Sequence, residues 1–215
     1  YNKWLASLPT FTQTQAQQAA NIENGRRLFQ GCVACHGVEG QGNLQLKAPA
    51  LAGMGQAYLQ RQLTYFKTHV RGGENADQYA KQMAGMSVLL ANDNSIRDVS
   101  AFLNQMKPKR ISNEGTKPSL NTTQWSKGKS LYKNCSYCHG EQAEGNYAMY
   151  APRLQGQDSD YLRRQILAYQ SGQRGTHPND VYGGQMQLMV SMLKDESAIE
   201  NVLLYINSLP VQKNN

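Results

Sequence analysis

Cys32, Cys35 and His36 form a C-x-x-C-H pattern, and the same pattern returns at Cys135, Cys138 and His139. Two thiols three positions apart on one turn can add to the two vinyl groups of a porphyrin. The adjacent imidazole is then placed under the iron, so the pattern reads as covalent attachment of a c-type haem. One such pentapeptide is also compatible with a zinc ligand set or a thioredoxin-like dithiol. Two copies favour haem, because a single zinc would need both cysteine pairs to converge, whereas each lies in its own repeat unit. With two covalently bound haem c groups, all four cysteines are used as thioethers. None is left for the disulfides that four cysteines in an exported protein would otherwise suggest.

The elements that position these motifs come from a duplication. Residues 103 positions apart match along most of the chain, taking Gly25 and Leu28 to Gly128 and Leu131, and Gly42-Asn43 to Gly145-Asn146. The same shift relates Ala48-Pro49 to Ala151-Pro152, Tyr58-Leu59 to Tyr161-Leu162, and Arg61-Gln62 to Arg164-Gln165. It also carries Arg71-Gly72 onto Arg174-Gly175, Gln82-Met83 onto Gln185-Met186, and Met86 onto Met189. A fixed period of this kind marks a repeated structural unit. We divide the chain into an extension (1–20), a first domain (21–107), a linker (108–124) and a second domain (125–215). Each repeat unit is about 85 residues, small for a core without a staple or cofactor, and a haem supplies the missing apolar mass. The linker is polar, with Pro108 and Pro118 near its ends and no apolar periodicity.

Within a unit the pattern is helical, and the expected fold class is all-α. Ile22, Leu28 and Phe29 open a helix ahead of the first cysteines, as Leu131 and Tyr132 do in the second copy. A second helix is predicted over Tyr58 to about Thr68 and over Tyr161 to about Ser171. The closing helix is the clearest: Asp93 is positioned to cap it, and Ile96, Val99, Phe102, Leu103 and Met106 follow helical spacing. Ile199, Val202, Tyr205 and Ile206 repeat that spacing, and the stretch from Gly37 to Gly55 reads as a loop wrapping a ligand.

A sixth iron ligand should recur at equivalent positions. His69 is replaced by Gly172, and His177 by Glu74, so neither histidine qualifies. Two methionine pairs do, Met83 with Met186 and Met86 with Met189. A matched methionine is often core filler. The need for a sixth ligand favours the methionine reading and leaves open which pair serves.

With these residues assembled, the chain resembles the diheme cytochrome c4 family, two class I cytochrome c domains in tandem. The likeness covers about residues 21 to 209. It rests on both C-x-x-C-H motifs, the A-P-x-L-x-G stretches from Ala48 and Ala151, the Y-L-x-R-Q stretches from Tyr58 and Tyr161, the methionine segments and the closing helices. The resemblance implies that the first methionine of each M-x-x-M pair binds iron, giving His36 with Met83 and His139 with Met186. It also implies that the carbonyls of Pro49 and Pro152 meet the proximal imidazoles. Tyr58, Arg61, Gln62 and their copies are candidates to reach the haem propionates, with a solvated helix face an equal explanation for Arg61. Departing from the family, residues 1–20 carry Trp4, Leu5, Leu8 and Phe11, whose simplest role is packing or disorder.

Histidine–methionine ligation raises haem potentials and fills both axial positions. Outer-sphere electron transfer between redox partners of a respiratory chain is therefore expected, toward a terminal oxidase or from a dehydrogenase. The competing readings are a diheme thiosulfate dehydrogenase, a peroxidase, or the electron-accepting subunit of a dehydrogenase. The net charge of +7 is dispersed: residues 1–107 carry ten basic and six acidic side chains, 108–124 three and one, and the rest nine and eight. Such a distribution excludes a nucleic-acid stripe and favours an acidic docking surface on a protein partner. No apolar run approaches the roughly 20 residues of a membrane span, so any membrane association would be peripheral. A periplasmic location, with an export signal already removed, and a monomeric or weakly dimeric state complete the expectation.

Overall fold

The computed structural model describes residues 19–110 and 122–211. The extension's Trp4, Leu5, Leu8 and Phe11, and most of the linker, lie outside them. In the first unit the order is α1 (Ile22–Phe29), α2 (Val33–His36), α3 (Gln56–Lys67), α4 (Gln78–Ser87) and α5 (Asp93–Gln105). The second unit contains α6 (Thr122–His139), α7 (Ser159–Gln170), α8 (Val181–Val190) and α9 (Glu196–Ser208). Among the described residues the only strand-like pairings are two isolated bridges, Asn43 with Ala48 and Asn146 with Ala151. The expected all-α class holds.

Side-chain caps define the helix starts. Asn21, Asp77, Asn92, Asp158, Asp180 and Asp195 each accept a hydrogen bond from a backbone N–H in the first turn of the helix that follows. Asp93, expected to cap α5, lies in the first turn instead, and Asn92 one residue earlier accepts from the Ser95 N–H. An acidic residue there still favours the helix, because it faces the positive end of the helix dipole. The methionine segments are helical too, since Met83 lies on α4 and Met186 on α8.

Where the second unit runs one continuous helix into its haem motif, the first breaks between α1 and α2. Gly31 falls in that break, whereas Asn134 stands at the equivalent place in α6. Glycine gives the chain the freedom to turn out of the helix and weakens any continuation through it.

Each unit buries its own core, and the cores correspond. Phe29, Leu59, Leu90, Ile96, Val99 and Leu103 are buried in the first, and Tyr132, Leu162, Leu193, Ile199, Val202 and Ile206 in the second. The pairing of first and last helix centres on a glycine. A Cβ added at Gly25 would collide with the Asp98 carbonyl and come within 2.8 Å of the Phe102 Cβ; one at Gly128 would strike the Asn201 carbonyl and approach the Tyr205 Cβ to 3.0 Å. Backbone touches backbone at both crossings, letting Phe29 meet Phe102 at 5.8 Å and Tyr132 meet Tyr205 at 5.3 Å between ring centroids.

Substituting Gly128→Ala should therefore destabilise the holoprotein by about 2–3 kcal/mol, because the clash is with main chain that cannot rotate away. Gly85→Ala, where an added Cβ meets nothing within 4 Å, should be neutral or slightly stabilising. Denaturant unfolding followed by circular dichroism compares the two.

Candidate functional site

Each C-x-x-C-H motif closes a helix, and the histidine at its end is pulled inward. His36 is 6% exposed and His139 5%. The Nδ1 of His36 lies 2.9 Å from the Pro49 carbonyl oxygen, and that of His139 2.8 Å from the Pro152 carbonyl oxygen. A carbonyl only accepts, so in both rings Nδ1 carries the hydrogen and Nε2 keeps its lone pair. Burial lowers both imidazole pKa values, with the proline carbonyl pulling the other way, which favours the neutral form a metal needs.

The prolines are held by the loop after each motif. Gly42 N–H bonds to the His36 carbonyl and Gly145 N–H to the His139 carbonyl, and the Asn43–Ala48 and Asn146–Ala151 bridges then return the chain beneath the imidazole. Gly42 and Gly145 stand at φ 90° and 87°. Glycine suits that left-handed turn.

A large, mainly apolar cavity opens beside His139, lined by Cys135, Cys138, Met186 and Met189. The two methionines of the second unit thus share one cavity wall. In the first unit Met83 is half-buried on α4 while Met86 is 39% exposed. The cavity continues across the seam between the units, where Pro49, Met54, Leu59 and Gln62 also line it.

That seam is built from exchanged side chains. The Arg61 guanidinium donates to the Tyr150 carbonyl at 2.9 Å and stacks on Tyr182, its carbon 4.2 Å from the ring centroid. Arg164 reciprocates with the Lys47 carbonyl at 2.8 Å and Tyr79 at 4.6 Å. Arg61 is thus a half-buried contact of the seam. Deeper in, Arg71 and Arg174 are each 8% exposed and bonded to Gln62 and Gln165, and Arg153 is 4% exposed. None of these three guanidiniums meets a carboxylate among the ion pairs of the described residues. Arg153 Nε and Nη1 and Arg174 Nε have no hydrogen-bond partner.

Buried cations without counter-charge are costly. Burial pushes Arg153 down to about 10, partly offset by Tyr147. Burial would raise the Tyr58 pKa, yet Arg174, Arg71 and Arg61 outweigh it and hold it below the ordinary value. The seam is a buried, positively charged region. A haem would fit on two counts: its macrocycle matches the apolar cavity beside the cysteines and histidine, and its propionates would supply negative charge to the arginines. The Arg-Gly match of Arg71 and Arg174 was visible in the sequence, but their burial was not. Arg153 had no signal at all, since its repeat partner is Ala50.

Helical units with a C-x-x-C-H motif, a buried imidazole tied to a proline carbonyl and an apolar cavity define a two-domain c-type cytochrome. Comparison with known proteins agrees. The cytochrome c family model matches residues 22–107 and again 125–210. Cytochrome c4 of Azotobacter vinelandii is 28% identical over 170 residues, covering 74% of this chain and 77% of that protein. A thiosulfate dehydrogenase electron acceptor of Thiomonas intermedia is 34% identical over 148 residues, covering 68% of this chain and 66% of that protein. Reduced cytochrome c4 from Pseudomonas stutzeri superposes with a TM-score of 0.69 at 24% identity, covering 89% of this chain and all of that one. The chain belongs to the cytochrome c family and, within it, to the diheme cytochromes of the c4 type. It is an electron-transfer protein with two covalently bound haem c groups.

Replacing Cys135 and Cys138 together by Ser should halve the covalent haem per chain while the first unit keeps its own. The pyridine haemochrome assay, with haem-stained gels of proteolytic fragments, reads both quantities.

Proposed function

We propose that the chain is a carrier and not an enzyme, shuttling electrons between redox proteins outside the cytoplasm. Two haem-binding domains, residues 21–107 and 125–215 joined by 108–124, would each hold one centre. In this reading Cys32, Cys35, Cys135 and Cys138 form the thioethers, His36 and His139 are the proximal ligands, Met83 and Met186 complete the axial pairs, and Pro49 and Pro152 orient the imidazoles. The observation that carries it is the Nδ1 contact to a proline carbonyl repeated in both units at 2.9 and 2.8 Å. It leaves one nitrogen of each ring for iron in the same orientation.

When bound, each haem supplies a one-electron couple at its iron. The chain's own groups do the rest. Apolar walls keep water from the cavity, and a lower polarity raises the potential, as thioether ligation does. With Met83 and Met186 in place, no axial position remains for a substrate. The half-buried placement of Met83 against the exposed Met86 supports choosing the first methionine in the first unit, and the repeat carries that choice to Met186, which is half-buried like Met189.

Partner docking follows from charge. On the first unit α4 carries Lys81, exposed along with Val88 and Leu89 at its end; α8 of the second unit has no charged residue. An acidic partner is therefore assigned to the first domain. No helix of the described residues is long and apolar enough to cross a membrane. The assigned location is the periplasm, with association at the outer face of the inner membrane left to peripheral contacts of the described residues.

A second reading makes the same two haems the electron-accepting partner of a dehydrogenase, supported by the 34% identity to the Thiomonas protein. Co-purification with a catalytic subunit separates a dedicated acceptor from a free carrier.

Met186→Ala should open one reduced haem to carbon monoxide and remove its sulfur-to-iron band in the oxidised spectrum, whereas Met189→Ala should do neither. Carbon monoxide binding by the unaltered reduced protein would count against the closed-site carrier. In stopped flow with an acidic redox partner, the on-rate should fall with added salt. An on-rate indifferent to ionic strength removes the docking assignment.

A further inference from the structure

The innermost part of the seam is a closed square of four side chains. Arg71 donates through Nη1 to Gln62 Oε1 of its own unit at 2.7 Å, and through Nη2 to Gln165 Oε1 of the other unit at 2.7 Å. Arg174 does the mirror image, with Nη1 to Gln165 Oε1 at 2.5 Å and Nη2 to Gln62 Oε1 at 2.8 Å. Each glutamine oxygen thus accepts from both arginines, and each arginine is fixed by both glutamines. Behind them the guanidinium carbons of Arg71 and Arg174 each lie 4.5 Å from a ring centroid, Phe66 and Tyr169 respectively, at matching positions of α3 and α7. Planar guanidiniums trapped between a ring and two fixed oxygens have no freedom to retreat toward their own unit.

We infer that Arg71 and Arg174 are positioning residues that act in trans, each setting the reduction potential of both haems instead of its own unit's haem alone. This rests on the reading that haems fill the cavity. Three members of the square, Gln62, Gln165 and Arg174, line that cavity together with His139 of the second unit, and the repeat relation would set the square against the first unit's haem in the same way. Reduction adds an electron to an iron centre and removes one unit of its positive charge. A buried cation nearby favours the reduced form, and in a poorly polarisable interior its field reaches beyond the nearest group. Because each guanidinium is bonded to a glutamine of both units, neither haem would have a private arginine. A local perturbation at one must register at both.

The test is spectroelectrochemical titration of purified diheme protein carrying Arg71→Gln or Arg71→Lys. Haem content is checked by pyridine haemochrome, and each haem is assigned by its paramagnetically shifted methyl signals. Arg71→Gln should move both midpoints negative, while Arg71→Lys, which keeps the charge, should leave both near the unaltered values. Gln165→Glu, almost the same shape, places an anion between the two guanidiniums and should likewise lower both, which keeps the test alive if Arg71→Gln loads haem poorly. If Arg71→Gln moves only the first unit's haem and Gln165→Glu only the second's, the trans assignment is overturned while the haem placement survives. Should neither midpoint move in either variant, the placement of the haems against this square falls as well.

Discussion

A neutral imidazole tied through Nδ1 to a proline carbonyl is the interaction on which each unit depends. It fixes the tautomer and leaves Nε2 with the lone pair that an iron would need, and much of the unit serves to hold the ring still. The turns leading to the histidine carry both thiols, the loop after it returns the proline, and the last helix packs across the first, which leads into the motif. Lose the carbonyl and the ring gains a second tautomer and a rotation, both of which disturb a metal bond. The close approach at Gly25 and Gly128 belongs to the same logic. A main-chain contact between first and last helix leaves no slack for the motif to drift.

The seam obeys a second constraint. Three arginines are buried without an ion pair to a carboxylate among the described residues, an arrangement that is costly unless other groups offset it. Haem carboxylates placed at the seam would supply the offsetting charge, and cofactor loading would then favour domain docking. Outside this centre the contacts are conventional: Lys47 pairs with Asp160 at 3.0 Å, and Tyr65 donates to the Asn179 carbonyl at 2.8 Å. Exposed pairs of that kind add little to stability, because water screens them. Specificity of docking thus lies in the exchanged arginines, whose planar forks fit one geometry.

Much of this was legible in the residues. Fold class and both haem motifs followed from spacing, because thioether chemistry and helical periodicity leave local marks. Helices α3, α5, α7 and α9 fell close to their expected ranges for the same reason. The cap of α5 was displaced by one residue, since Asn92 and Asp93 are both good caps and only the backbone angles choose between them. Burial at the seam left no local trace. Arg71 and Arg174 looked like any surface arginine, and Arg61 seemed equally suited to water, because the partner surfaces come from residues about a hundred positions away. The helical setting of Met83 and Met186 was also hidden, as Gly85, Gly183 and Gly184 obscure the periodicity there.

The exchange of Arg61 for Arg164 has a thermodynamic corollary. Such a seam is self-complementary: patch and counter-patch are the same surface, turned over. Two separate chains joined this way would part on dilution. Linked by one short peptide, the halves instead meet at a fixed effective concentration. Their mutual orientation, and with it the gap an electron must cross, becomes independent of how much protein the compartment holds.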